Sequence, residues 1–167
     1  MCSTDTFLVR KARPEDVESL VELRRHLLDE GSGHYVARTD GERQAWRVRY
    51  REWLSAHLGR AEDVHVAAAQ AVGRVGGDVL GCGIGVIDKR APMAGCLNGR
   101  VGWIQTIVVD PAHRGRGIGE AVMAHLTNWL ASNDVGKIAL QTTPVATRLY
   151  EKLGFCASGE DLLVKRL

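Results

Sequence analysis

The chain has no closely spaced cysteine pair. Its four cysteines (Cys2, Cys82, Cys96 and Cys156) are scattered over 167 residues without a Cys-x-x-Cys, which argues against a disulfide framework and a thiolate metal site. The six histidines, at positions 26, 34, 57, 65, 113 and 125, include no His-Glu-x-x-His, so no bound metal is expected. No apolar run approaches the ~20 residues that cross a bilayer. The opening Met-Cys-Ser-Thr-Asp lacks the basic patch and apolar stretch of a secretion signal, so a cytoplasmic protein with no membrane association is expected. A dominant charge is missing too. Lys and Arg number 22 against 20 Asp and Glu, a net +2 spread along the chain, whereas a dedicated nucleic-acid binder concentrates its charge. Arg43, Arg47, Arg49 and Arg51 do cluster, but mostly on the polar side of a helix, where a solvated face explains them. There is no internal repeat, low-complexity tract or linker, and the length suits one domain over residues 1–167.

What the chain does have is concentrated between Val101 and Glu120. The β-branched run Ile104, Ile107, Val108, Val109 reads as a buried strand, stopped by Asp110-Pro111 because Pro111 has no amide for a ladder. Arg114-Gly-Arg-Gly-Ile-Gly119 follows, leading into the helical stripe Ile118, Val122, Leu126 and Trp129/Leu130. A strand, a glycine-rich turn and a helix start leave backbone amides without helical acceptors, at the positive end of the helix dipole. Such a socket suits a phosphate or pyrophosphate, and Arg114 and Arg116 add charge to it. A ligand-free glycine turn is the plainer reading of the same residues. No lysine–hydroxyl pair follows Gly119, which excludes a P-loop. Glu120-Ala121 after Gly119, and Gly81-Cys-Gly-Ile-Gly85 inside a strand-like run, both fail the dinucleotide fingerprint.

The rest of the chain supplies an ordered set of elements. Phe7–Ala12 reads as a first strand. Pro14 opens a helix whose buried side is Val17, Leu20, Val21, Leu23, Leu27 and Leu28. A second helix spans about 41–58 with Trp46, Tyr50, Trp53 and Leu54 along one stripe. Strands follow at Val64–Val72 and Asp78–Asp88, joined by a turn at Gly73–Gly77; Gly81, Gly83 and Gly85 imply bulges or a close neighbour. Lys137–Thr142 is a fifth strand. Pro144 suits the start of a short helix with Val145, Leu149 and Leu153 on one face and Gly154 as its terminator; Leu162–Arg166 reads as a last strand. The order β-α-α-β-β-β-α-β-α-β, with hairpin-length turns between the middle strands, predicts an α/β (α+β type) domain around a mixed sheet.

Arg114-x-x-Gly117-x-Gly119 after a strand, together with Ala-Thr-Arg-Leu-Tyr-Glu-Lys-Leu-Gly-Phe at 146–155, resembles the two motifs of the GNAT superfamily of acetyl-CoA-dependent N-acetyltransferases. The element order resembles that fold from end to end. The resemblance implies a mixed sheet of six to seven strands flanked by four helices. It implies that Val101–Val109 and Lys137–Thr142 splay apart at a bulge to admit acetyl-CoA. It also implies that the amides of Arg116, Gly117, Ile118, Gly119 and Glu120 hold the pyrophosphate, with Arg114 and Gly115 beside them. Ile107, Val108 and Val109 would pair with the pantetheine arm, an amide of Ile107 or Val108 meeting the thioester oxygen. Tyr150 would be the general acid, its phenol pKa near ~10 matched to a thiolate near ~8.5. Thr143 stands where many relatives have asparagine, and Thr147 and Arg148 lie by the same arm.

The general base is not legible. The strand segment Trp103–Ile107 holds no acid; Gln105 or Thr106 could hold a water, and Asp29, Glu30, His34, Tyr35 and Asp88 are remoter candidates. The acceptor amine would be shaped by roughly 29–50 and 88–99, with a small molecule expected over a protein tail. A peptide acetyltransferase, a non-catalytic acyl-CoA sensor, another acyl donor and a homodimer all stay open.

Overall fold

The computed structural model describes residues 6–73 and 78–167. Among the described residues five strands form one sheet in the order β1 (Phe7–Lys11), β2 (Val64–Ala71), β3 (Val79–Lys89), β4 (Arg100–Val109), β5 (Lys137–Leu140). The first four strands are antiparallel neighbours, and β5 joins β4 in parallel. That parallel step requires a crossover, which α3 (Ile118–Ser132) provides. The sheet is mixed, as the short middle connections predict.

Two apolar layers cover it. On one face lie α1 (Val17–Leu28) and α2 (Asp40–His57), burying Leu20, Val21, Leu23, Tyr50 and Leu54 against Val66, Ala68, Cys82, Ile84 and Val108. The Thr39 hydroxyl accepts from the Glu42 amide while Glu42 reaches back to the Thr39 amide, which fixes where α2 begins. On the other face α3 and α4 (Thr147–Lys152) bury Ile118, Val122, Met123, Leu126, Leu130 and Tyr150 against Ala67, Ala69, Leu80 and Ile104. The glycines of β3 explain how closely α3 sits. A Cβ on Gly81 would stand 2.7 Å from Ile118, and one on Gly83 2.8 Å from Val122 and 2.9 Å from Leu126. A side chain there would push the helix off the sheet.

Three expectations need correction. The six to seven strands become five among the described residues, because Leu162–Arg166 forms no ladder. Leu163 is 92% exposed and Leu167 fully so, and Arg166 donates instead to the carbonyl of His34 at 3.1 Å. A β-prone run becomes a strand only where an edge accepts it. Second, β5 ends at Leu140 rather than Thr142. Third, α4 starts at Thr147, three residues after Pro144, so Val145 is 95% exposed and only Leu149 and Leu153 join the core. Residues 74–77 of the expected Gly73–Gly77 turn, and the first five residues with Cys2, lie outside the described residues. No helix among the described residues is long and apolar enough to cross a membrane.

Candidate functional site

The site begins with an irregularity in β4. Gln105 pairs with Ile84 and Val108 with Cys82, so Thr106 and Ile107 together face the single residue Gly83. This is a β-bulge, and Thr106 takes its extra turn at φ +59 while buried. A left-handed β-branched residue costs about 1–3 kcal/mol and persists only where its surroundings enforce it. Gly83 supplies the room, since a Cβ there would come within 2.5 Å of Ile107. The consequence appears on the other edge of β4. Pairing with β5 runs from Val101↔Lys137 to Ile104↔Leu140 and stops. From Gln105 to Val109 no strand among the described residues covers that edge. Ile107, Val108 and Val109 are all there.

At the far end of β4 the chain turns through Pro111–His113 into α3. The Asp110 carboxylate accepts from the Ala112 amide at 2.8 Å and the His113 ring at 3.3 Å, which hold its pKa below the ordinary range against the opposing effect of burial. Gly115 and Gly117 have φ +75 and +79, and nothing lies within 4 Å of where their Cβ atoms would be. Gly117 is the N-cap of α3 and no side chain caps it. The first-turn amides therefore point out of the helix end into open space, at the positive pole of a 15-residue helix. Arg114 donates to the Val109 carbonyl at 3.3 Å and, like Arg116, is exposed. The Glu120 carboxylate, in the same turn, is paired with Lys152 of α4 at 2.9 Å, which offsets its negative charge beside the cradle.

Gly119 ties the pieces together: its Cβ position is 3.6 Å from Leu149 and 3.7 Å from Val109, so β4, α3 and α4 converge on it. Tyr150 is 8% exposed. Its carbonyl accepts from the Phe155 amide while Gly154, at φ +88, donates to Glu151, closing α4 in the expected left-handed cap. The same turn lays the Phe155 ring edge-on against Tyr150, centroids 6.0 Å apart. Burial, and then the nearby Tyr35 phenol, raise the Tyr150 pKa. The Thr143 carbonyl accepts from the Thr147 hydroxyl at 3.2 Å and the Ala146 amide at 3.0 Å, so both threonines sit on the turn that launches α4.

The profile of the Acetyltransferase (GNAT) family matches residues 43–155, from α2 through the end of α4. The chain belongs to the GNAT acetyltransferase family. It is 37% identical over 112 residues to glucosamine 6-phosphate N-acetyltransferase 1 of Oryza sativa subsp. japonica, covering 67% of this chain and 62% of that one. It is 40% identical over 57 residues to glucosamine 6-phosphate N-acetyltransferase of Trypanosoma brucei brucei, covering 34% and 39%. The chain thus spans less than two thirds of either relative. A Clostridium acetobutylicum structure, described as a predicted acetyltransferase with acetyl-CoA, superposes with a TM-score of 0.77 at 22% identity, covering 96% of both chains. That likeness establishes the GNAT fold.

The remoter base candidates of this GNAT chain are mostly engaged elsewhere. Asp29 accepts from the Trp46 indole at 2.9 Å and from Arg47, joining α1 to α2. Glu30 pairs with Arg25 and His26, and Asp88 with Arg90 at 3.7 Å. Tyr35, against whose ring His34 packs at 5.2 Å, is the one whose phenol acts on Tyr150. The bulge that the resemblance implied lies at Thr106, opposite Gly83. One feature escaped the sequence reading. Arg24 of α1 occupies a core-facing position, four residues after Leu20 and three after Val21, both buried.

Proposed function

We propose that the protein transfers an acetyl group from acetyl-CoA to a primary amine of a small molecule, by direct attack, with Tyr150 as general acid. The observation that carries this reading is the opening of the sheet at Ile104/Leu140 between two other features: the uncapped Gly117 cradle and the buried Tyr150. The cradle residues fit a pyrophosphate, since both left-handed glycines face open space and the helix pole is positive. When bound, acetyl-CoA supplies the activated acyl group. The amides of Arg116 to Glu120 bind its phosphates, with Arg114 and Gly115 alongside, while Thr143 and Thr147 flank the arm. The uncovered edge at Ile107–Val109 aligns that arm by strand-like hydrogen bonds, and an amide of Ile107 or Val108 donates to the oxygen on which negative charge develops.

The neutral amine nitrogen forms its bond to the acyl carbon, the carbon–sulfur bond breaks and the departing thiolate takes the Tyr150 proton. The proton shed by nitrogen passes to solvent, from which Tyr150 is reprotonated. Burial keeps Tyr150 protonated at neutral pH, and the same desolvation raises the proton affinity of a thiolate formed beside it, so donor and acceptor stay matched. The relatives named for glucosamine 6-phosphate, a small amine, favour a small acceptor over a peptide. Thiol release from acetyl-CoA, measured with a panel of amino sugars, amino acids, polyamines and peptides, tests the reading. Turnover with one of the small amines is expected. Binding of acetyl-CoA without release under every amine points to a sensor, and release with peptides alone points to a protein acetyltransferase.

A further inference from the structure

Among the described residues, one guanidinium without a counter-charge packs between α1, α2 and β3. The Arg24 guanidinium stacks on the Tyr50 ring, 4.2 Å from its centroid. Its Nε is buried and makes no hydrogen bond, and neither does the buried hydroxyl of the same Tyr50. They are the two buried side-chain polar atoms without a partner among the described residues, and they fall at one spot. Tyr50 and Cys82 are the groups whose charge bears on Arg24, and both are neutral at pH 7: burial pushes the Cys82 thiol up to about 12 and the Tyr50 phenol up as well. Among the described residues no carboxylate compensates the guanidinium.

Such an arrangement costs stability. A buried donor left unmade forfeits its hydration, and an unpaired cation forfeits more. A buried structural arginine is normally held by an acid, as Arg10 is by Asp16 through bonds of 2.7 and 2.9 Å. Arg24 lacks that and keeps part of its surface open. Its location is informative. Cys82 is the ladder partner of Val108, one residue beyond the bulge in β4. Four residues after Arg24, α1 ends at Leu28 and passes into the loop carrying Tyr35, whose phenol bears on Tyr150.

We propose that Arg24, with the Tyr50 hydroxyl, is an oxyanion-recognition subsite that takes a carboxylate or phosphate substituent of the amine acceptor. The guanidinium offers donors in a planar fork suited to either group, and the phenol adds one more. Recognition of an anion here fixes the acceptor by the end opposite its amine. It also gives a destabilising cation the counter-charge that the fold withholds. The inference rests on the acetyl-transfer reading for its substrate, though binding alone tests it.

The experiment is calorimetric titration of the full chain, in the presence of coenzyme A, with two matched pairs. One pair is an α-amino acid and its carboxamide; the other is an amino-sugar phosphate and the unphosphorylated sugar. At least one anionic member should bind about tenfold or more tighter than its neutral counterpart, the range expected for a charge-assisted contact. Arg24→Met, which keeps the aliphatic stem, should bring that ratio close to one while raising Tm or leaving it unchanged. A structural arginine would instead lower Tm on removal and leave the ratio alone. Tyr50→Phe, nearly isosteric, should reduce the ratio several-fold even if Arg24→Met fails to fold. A ratio near one for both pairs in the unaltered protein, or a ratio unchanged in the variants, overturns the proposal. Thiol release run in parallel separates the two ideas. Acetylation without anion preference removes only the subsite, and anion preference without acetylation of any amine removes only the transferase reading.

Discussion

The two halves of the cleft are built from different materials. The half formed by β4, α3 and α4 presents main chain: an uncovered strand edge, two left-handed glycines and a helix pole. The half formed by α1, α2 and their loop presents side chains, several paired with each other, as Asp29 is with Trp46 and Arg47. Main-chain recognition needs particular backbone shapes, and those demand glycine at fixed spacings. Side-chain recognition needs only that some group reach the right point, and many sequences achieve that. One half can therefore be read from a motif and the other cannot.

The contrast breaks most visibly at the cradle. Gly117→Asp puts a Cβ into a left-handed N-cap and a negative charge where the proposed pyrophosphate would bind, so acetyl-CoA affinity should fall more than ~100-fold by calorimetry. Retained affinity would mean that the loop holds no phosphate. Next in size is Tyr150→Phe. Loss of a proton donor should lower kcat by about 10²–10⁴-fold in stopped-flow or steady-state thiol release, with acetyl-CoA affinity kept within a few fold. Unchanged kcat would assign the proton to solvent and leave Tyr150 as packing.

Gly83→Val tests whether the bulge depends on the strand opposite. Its side chain meets Ile107, Val122 and Leu126 at under 3 Å, so a loss of about 1–3 kcal/mol is expected from denaturant unfolding. Equal stability would show that the bulge does not require glycine across from it. The smallest effect concerns how α3 is mounted. His65 of β2 and His125 of α3 meet Nε2 to Nε2 at 2.9 Å, with His65 stacked on Trp129. One ring donates and the other accepts, so the contact needs at least one neutral ring. Burial first, then His125 and Lys11, push the His65 pKa down to about 4, and burial lowers that of His125. In the unfolded chain both take up protons near ~6.5. Between that pH and about 4 the unfolded state binds more protons, so stability should decline as pH falls. A Tm lowered by several degrees between pH 7 and pH 5, with a shallower slope in His125→Gln, is the expected result. An identical slope in the variant would assign the acid sensitivity to other groups.

The strand miscount has the same origin as the unread half-site. Lys137–Leu140 and Leu162–Arg166 are similar β-prone runs, yet only the first finds an edge, because α3 returns the chain alongside Val101–Ile104. Gly81, Gly83 and Gly85 foretold a close neighbour, and α3 is that neighbour. The same glycines implied bulges without saying which residue would turn left-handed, because that conformation is imposed on Thr106 from across the ladder. Arg24 drew no notice in the sequence, because a charge next to an apolar stripe usually reaches solvent, and its missing counter-ion is a matter of tertiary packing.

Local chemistry in the sequence determined the elements, the mixed sheet and the glycine cradle, because periodicity, proline and glycine act over a few residues. Tertiary structure alone decided three things: where β4 and β5 part, after Ile104 and Leu140, the burial of Tyr150 beside Tyr35, and the solitary charge of Arg24 among the described residues. Each depends on which residues from distant parts of the chain come to share one small, poorly solvated volume, where the cost of a bulge, a phenol or a cation is set by its neighbours.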